Sequence, residues 1–201
     1  PPPPNTATNS RSYAALVDEY VAMFDAMQPH ADRAPLIDRM RRRLAQGRPH
    51  YEKVGGPLAI PWHFIGLIHG MESSFNFGAH LHNGDSLNHR TVHVPAGKPE
   101  RPDPPFAWAT SAADALAGHG LQGVGDWSLP RQLFELERYN GFGYRFRGLA
   151  TPYLWSFSDR YVRGRFVSDG KFDPQSVSRQ VGAAVTLKAL IDGQDIARPP
   201  N

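Results

Sequence analysis

Apolar residues recurring at helical spacing, each run closed by proline or glycine, constrain this chain more than any other feature. Tyr13, Leu16, Val17, Tyr20, Phe24 and Met27 form one stripe within Ser12 to Gln28, which Pro29 ends. Leu36, Ile37, Met40 and Leu44 form a second, in a helix that opens near Asp32 or Pro35 and runs to Ala45, ahead of Gly47 and Pro49. Phe64, Ile65, Ile68 and Met71 follow Pro61, a residue suited to a first helical turn. Ser128 and Pro130 open RQLFELERYN, which Gly141 terminates, and Thr151-Pro152 opens a short helix through Trp155 and Phe157. Asp173-Pro174 reads as the N-cap and first turn of a last helix running to Gly193, with Val177, Val181, Ala184, Val185, Leu187 and Ile191 inward. Ser111 followed by Asp114 resembles a capping box opening a short helix that Gly118 and Gly120 close. Tyr51 to Ile60, with Gly55-Gly56-Pro57, is expected to be a turn-rich connector. Strand character is confined to Thr91–Val94 and to Arg160–Phe172, a short hairpin at most in each. The expected fold class is therefore mainly α, a globular domain with a small β-hairpin region and long irregular loops.

With 201 residues, one domain over 12–197 is expected, after a Pro-rich linker or disordered terminus over 1–11 that opens PPPPNTATNS. Zero cysteines exclude disulfides, thiolate metal sites and cysteine nucleophiles. No apolar run approaches a membrane span, so a soluble domain is expected. The net charge of +3 favours polyanionic partners, an anionic cell wall among them. Its dense cluster, Arg39 to Arg43, sits at helix-compatible positions and reads as a solvated helix face, so no nucleic-acid partner is expected.

Chemistry concentrates between Pro61 and Asp85, PWHFIGLIHGMESSFNFGAHLHNGD. Glu72 falls four residues after Ile68, on the apolar face of its helix, where an acid is costly without a partner or a use. A half-buried carboxyl also holds its proton more strongly, as a general acid must. Asp85 follows thirteen positions later in a loop rich in Asn, Gly and His, and two carboxyls flanking one groove suit glycoside hydrolysis. Trp62, Trp108, Trp127, Tyr139, Tyr144 and Trp155 supply rings that could stack on sugars, and His82 and Asn83 lie in the loop as substrate-contact candidates. Two other readings stand beside this one. His80, His82, His89 and His93 with Asp85 could ligate a metal, although no HExxH-type helical pair supports it and no metal or cofactor is expected. Alternatively, Glu72 is an ion-pair partner and an aromatic groove only holds a polymer, as in a non-catalytic wall-binding module. No serine elbow and no phosphate-cradling glycine pattern is present.

GLIHGMESSFNFGAH resembles the signature of the lysozyme superfamily, in particular soluble lytic transglycosylases and goose-type lysozymes, where a helix ends in Glu-Ser. LERYNGFGY is similar to the Tyr-Asn-Gly segment of the same families. Taken with HLHNGDSL…RTVHVPAG, the pattern resembles the bacterial and phage lysozyme family proteins, over roughly Trp62 to Tyr144. The resemblance implies a lysozyme-like fold, with Glu72 as catalytic acid, Ser73 supporting it, and Tyr139 and Asn140 at the saccharide groove. Goose-type enzymes add a loop Asp at a spacing that Asp85 matches. The implied activity is N-acetylmuramidase cleavage of peptidoglycan. Its alternatives are a lytic transglycosylase giving an anhydro product and a glycosidase acting on chitin or another β-linked polysaccharide. The implied setting is secreted, periplasmic or phage-delivered. The families' Gly-Leu-Met-Gln segment after the acid is missing, and Thr91–Pro95 stands in its place.

Overall fold

The helical stripes do become helices in the computed structural model, which describes residues 5–168 and 170–201. The described residues form eight α-helices and one two-stranded antiparallel sheet. They group into two compact units, Arg42–Trp127 and the pair of segments Pro1–Arg41 and Ser128–Asn201. None of the helices is long and apolar enough to cross a membrane.

In the two-segment unit, α1 (Tyr13–Ala26) buries Leu16, Tyr20, Met23 and Phe24, the face its spacing predicts. It packs on α6 (Leu129–Asn140), where Tyr13 meets Phe134 edge-on at 5.4 Å between centroids. Helix α7 (Pro152–Trp155) is capped by the Thr151 hydroxyl, which accepts from the Tyr153 amide, and lies between α6 and α8 (Ala183–Asp192). Strands β1 (Arg165–Ser168) and β2 (Lys171–Asp173) pair with Phe166 opposite Phe172, in the second of the two expected hairpin regions. Residues 1–4 of the Pro-rich segment lie outside the described residues. Beyond them, Asn5 donates to the Arg160 carbonyl, Ala7 to the Gly148 carbonyl and Thr8 to the Glu19 carboxylate.

A buried ion pair sits in the core of this unit. Arg145 and Glu137 are each 1% exposed and meet at 2.8 Å. Arg145 also reaches Glu19 at 2.7 Å and the Thr8 carbonyl at 3.0 Å, while the Tyr20 hydroxyl donates to Glu137 at 2.7 Å.

Three sequence expectations fail here for physical reasons. The last helix starts at Ala183, not at Asp173, because the Asp173 carboxylate accepts from the Gln175 amide and makes a local turn instead of a cap. Val177, expected inward, is 53% exposed as a result. Tyr51–Ile60 is no connector, since it belongs largely to α3 (Arg48–Leu58). Its glycine is selected by packing: a Cβ on Gly55 would stand 2.3 Å from the Ile60 carbonyl oxygen. Thr91–Val94 forms no strand.

In the Arg42–Trp127 unit, the end of α2 (Ala34–Gln46) leads to α3, α4 (Trp62–Ser73) and α5 (Trp108–Gly118). Every residue of α4 from Phe64 to Gly70 is buried, which makes it the enclosed helix of the unit. Gly66 permits that enclosure, since an added Cβ would lie 2.7 Å from Leu44 and 2.9 Å from Tyr51.

Candidate functional site

Helix α4 delivers Glu72, half-buried, to its C-terminal turn. The next two residues after Ser73 are both left-handed without being glycine: Ser74 has φ 53° and Phe75 φ 62°. Such backbone is costly, and packing holds it here. The Phe75 ring sits where a side chain on Gly70 would be, 2.7 Å from that Cβ position, with the Arg43 guanidinium 5.2 Å above it. The His69 carbonyl gathers the turn, accepting from the Ser74 and Phe75 amides and from the Ser73 hydroxyl at 3.3 Å. Ser73 therefore acts first on the helix end. One turn before Glu72, the fully buried His69 ring lies against Phe77 and Trp108, with Nδ1 2.9 Å from the Tyr51 hydroxyl. Burial pushes its pKa down to about 4, against a weaker opposing bond to the Asn76 backbone, so the imidazole is neutral at pH 7.

The loop then folds back onto the helix end. His80 donates its amide to the Asp85 carbonyl, and Gly84 donates to the His80 carbonyl. Gly84, at φ 82°, lies so close that a Cβ would stand 3.0 Å from the Glu72 carbonyl oxygen. This contact brings the loop flanked by Asn83 and Asp85 onto the residue that carries the acid. Gly84→Ala is thus expected to cost roughly 1–3 kcal/mol, from the left-handed backbone together with the crowding at Glu72. Urea unfolding at the wild-type midpoint would rule out that reading of the contact.

Asp85 is occupied. Its Oδ2 accepts from the Val92 and His93 amides at 2.8 and 3.0 Å, and its Oδ1 lies 2.7 Å from His93 Nδ1. Burial is the largest single influence and would raise its pKa. The His93 amide and ring, the Val92 amide and the His93 charge together outweigh it and hold the carboxyl at about 2. These bonds also explain the missing strand at Thr91–Val94: its amide donors serve a carboxylate, while Thr91 closes the loop on Lys98 and Gly97. Asn83 adds a second tie, accepting from the Asp85 amide and donating to the His93 carbonyl at 3.1 Å.

A pKa depressed from the ordinary 3.8 gives stabilisation that is complete above about pH 4 and lost as pH falls through about 2. Hydrogen exchange at the Val92 and His93 amides is expected to show their protection disappearing in that window. Protection unchanged at pH 2 would mean that the carboxylate does not hold the loop.

His80 and His82 peg the same loop to α5. His80 Nδ1 lies 2.7 Å from the Ser111 hydroxyl and its Nε2 2.8 Å from the His89 carbonyl, whereas His82 Nε2 lies 2.9 Å from Asp114. His82, a substrate-contact candidate in the sequence, has its ring buried and turned to Asp114 instead. Burial lowers its pKa against the opposing pull of Asp114. Helix α5 begins at Trp108, so Ser111 and Asp114 do not open it: they sit one turn apart inside it, where they meet His80 and His82. That match was a usable signal, hidden behind a capping-box pattern. Among the described residues no group of three or more His, Cys, Asp or Glu could hold a metal ion.

Tyr139, Asn140 and Tyr144 belong to the other unit. Asn140 is exposed at the end of α6 and, with Tyr144, Phe166 and Ser168, lines a concavity of about 410 Å³. Tyr139 is half-buried. The Tyr144 ring is buried, and its hydroxyl accepts from the Phe166 amide at 3.1 Å, which pins the hairpin. Comparison with known proteins finds no matching family model, no similar curated protein and no similar solved structure.

Proposed function

We propose that this chain cleaves the glycan strand of peptidoglycan at the bond after N-acetylmuramic acid, with Glu72 as general acid. The observation that supports this best is the setting of Glu72: a half-buried carboxyl on the last turn of an enclosed helix, followed by two left-handed non-glycine residues and covered by a glycine turn. Strain of this kind collects at functional sites, where a positioned acid can meet its substrate. The order of the Glu-Ser and Tyr-Asn-Gly segments adds the substrate class by resemblance.

In the muramidase form of the proposal, Asp85 positions or activates water. The engagement of both Asp85 oxygens within its own loop favours a second form, in which Glu72 serves alone. Glu72 first protonates the glycosidic oxygen as the C1–O bond breaks. Its carboxylate then takes the proton of the muramyl 6-hydroxyl, whose oxygen bonds to C1 and leaves a 1,6-anhydro end. Asp85 here fixes the loop over the helix end.

Digestion of purified sacculi followed by mass spectrometry tests both forms. Anhydro-muramyl ends are expected from the one-acid form, and reducing ends, heavier by one water, from the form in which Asp85 serves water. Wall binding without new ends would overturn catalysis and favour a binding module.

A further inference from the structure

One sizeable cavity has no place in the proposed glycan chemistry. It encloses about 1000 Å³ in the unit that lacks Glu72. Three guanidinium groups, Arg33, Arg165 and Arg179, together with His30, line it, and no carboxylate does. Arg179 is exposed and has no ion-pair partner among the described residues. Arg165 gives Nε to the Ser176 hydroxyl at 2.9 Å. Asp173, opposite Arg165 in the hairpin, commits Oδ1 to the Gln175 amide. Arg33 shares its charge with Asp32 at 3.2 Å, both side chains being half or more exposed, a pairing that water weakens. Cationic groups gathered around one hollow attract anions.

Two further observations point to a ligand. Ser156 is among the residues that line the cavity, and its buried hydroxyl has no hydrogen-bond partner among the described residues. An orphaned buried hydroxyl is costly, and a ligand oxygen would satisfy it. Beside it, Phe157 is held at φ 71°, with the Arg33 guanidinium 5.4 Å from its ring centroid. Val162 and Val177, which also line the cavity, are 55% and 53% exposed. A fully hydrated ion would leave those surfaces wet, whereas a ligand with an apolar body would cover them.

We propose that this cavity binds a small organic anion, a phosphate or carboxylate group carried on an apolar or aromatic body. The anion sits among the guanidinium groups and the Ser156 hydroxyl, and the body packs on Phe157 and the two valines. The site is independent of Glu72, so its test does not depend on any glycan activity.

Phenyl phosphate, benzoate and benzyl alcohol are suitable probes, titrated into the full chain by calorimetry and followed at the Ser156 and Phe157 amides by NMR. At least one of the two anions is expected to bind about tenfold or more tightly than the neutral alcohol, with those amide signals shifting. The tighter of the two identifies the anionic group. Arg179→Gln, at an exposed position that tolerates substitution, and Arg165→Gln are each expected to weaken binding about tenfold. Ser156→Ala is expected to weaken the anion and leave the alcohol unchanged. Equal binding of anion and alcohol, wild-type affinity in both arginine variants of native circular dichroism, or no binding of either anion would overturn the assignment.

Discussion

Glu72→Gln is expected to abolish release of soluble muropeptides from purified cell walls while leaving the fold intact. Glutamine keeps the size and hydrogen-bonding reach of glutamate but has no proton to give, so the loss isolates proton transfer. General acids contribute on the order of 10²–10⁴ in rate, and a single-acid enzyme sits at the upper end because the same group acts twice. Glu72 is half-buried at the last turn of α4, where an isosteric change should shift unfolding by less than about 1 kcal/mol. Turbidity loss and product release are the activity measurements, and a thermal melt is the control. Retention of a tenth or more of the wild-type rate would sink the assignment of Glu72 as acid, whatever the products.

Arg145→Ala carries the largest expected effect on stability. Glu137 is 1% exposed, and Arg145 and the Tyr20 hydroxyl are its partners. Burial already pushes the Glu137 carboxyl pKa upward, against the opposing pull of the Arg145 charge and of its bonds to Tyr20 and Arg145. Removing the guanidinium leaves a buried acid uncompensated and also frees Glu19 and the Thr8 carbonyl. The cost is expected at roughly 3–5 kcal/mol in urea unfolding. The double change Arg145→Met with Glu137→Met is expected to recover part of it, because two apolar side chains need no partners, while the Tyr20 hydroxyl, Glu19 Oε1 and the Thr8 carbonyl lose theirs. A single variant as stable as wild type, or a double variant as unstable as the single, would show that the pair is not what holds this core.

Helices α1, α2, α4, α6 and α7 were legible because each combines an apolar stripe with a proline, serine, threonine or glycine boundary, and these signals are local. The same local reasoning mistook α3, whose Gly55-Gly56-Pro57 reads as punctuation but sits inside or at the end of a helix selected by close packing on Ile60. It also mistook Asp173-Pro174, where the carboxylate can cap a helix or close a turn with similar local energy, and the surrounding packing chose the turn. At the site, the position of Glu72 on an apolar helix face was readable from spacing alone. The destinations of Asp85, Asn83 and His82 were not, because each side chain bonds to a segment 7 to 32 residues away in sequence.

Sequence by itself thus determined the mainly helical class, the helix that ends in Glu72, the polar loop after it and the lack of any thiol chemistry. Each follows from periodicity and residue type, which act over one or two helical turns. Only the tertiary structure decided that Asp85 clamps Val92 and His93, that His80 and His82 anchor the loop to α5, and that Gly84 lies on the Glu72 carbonyl. Those outcomes depend on which buried donors and acceptors meet across distant segments, and burial makes satisfying each of them obligatory without specifying from sequence which partner will do it.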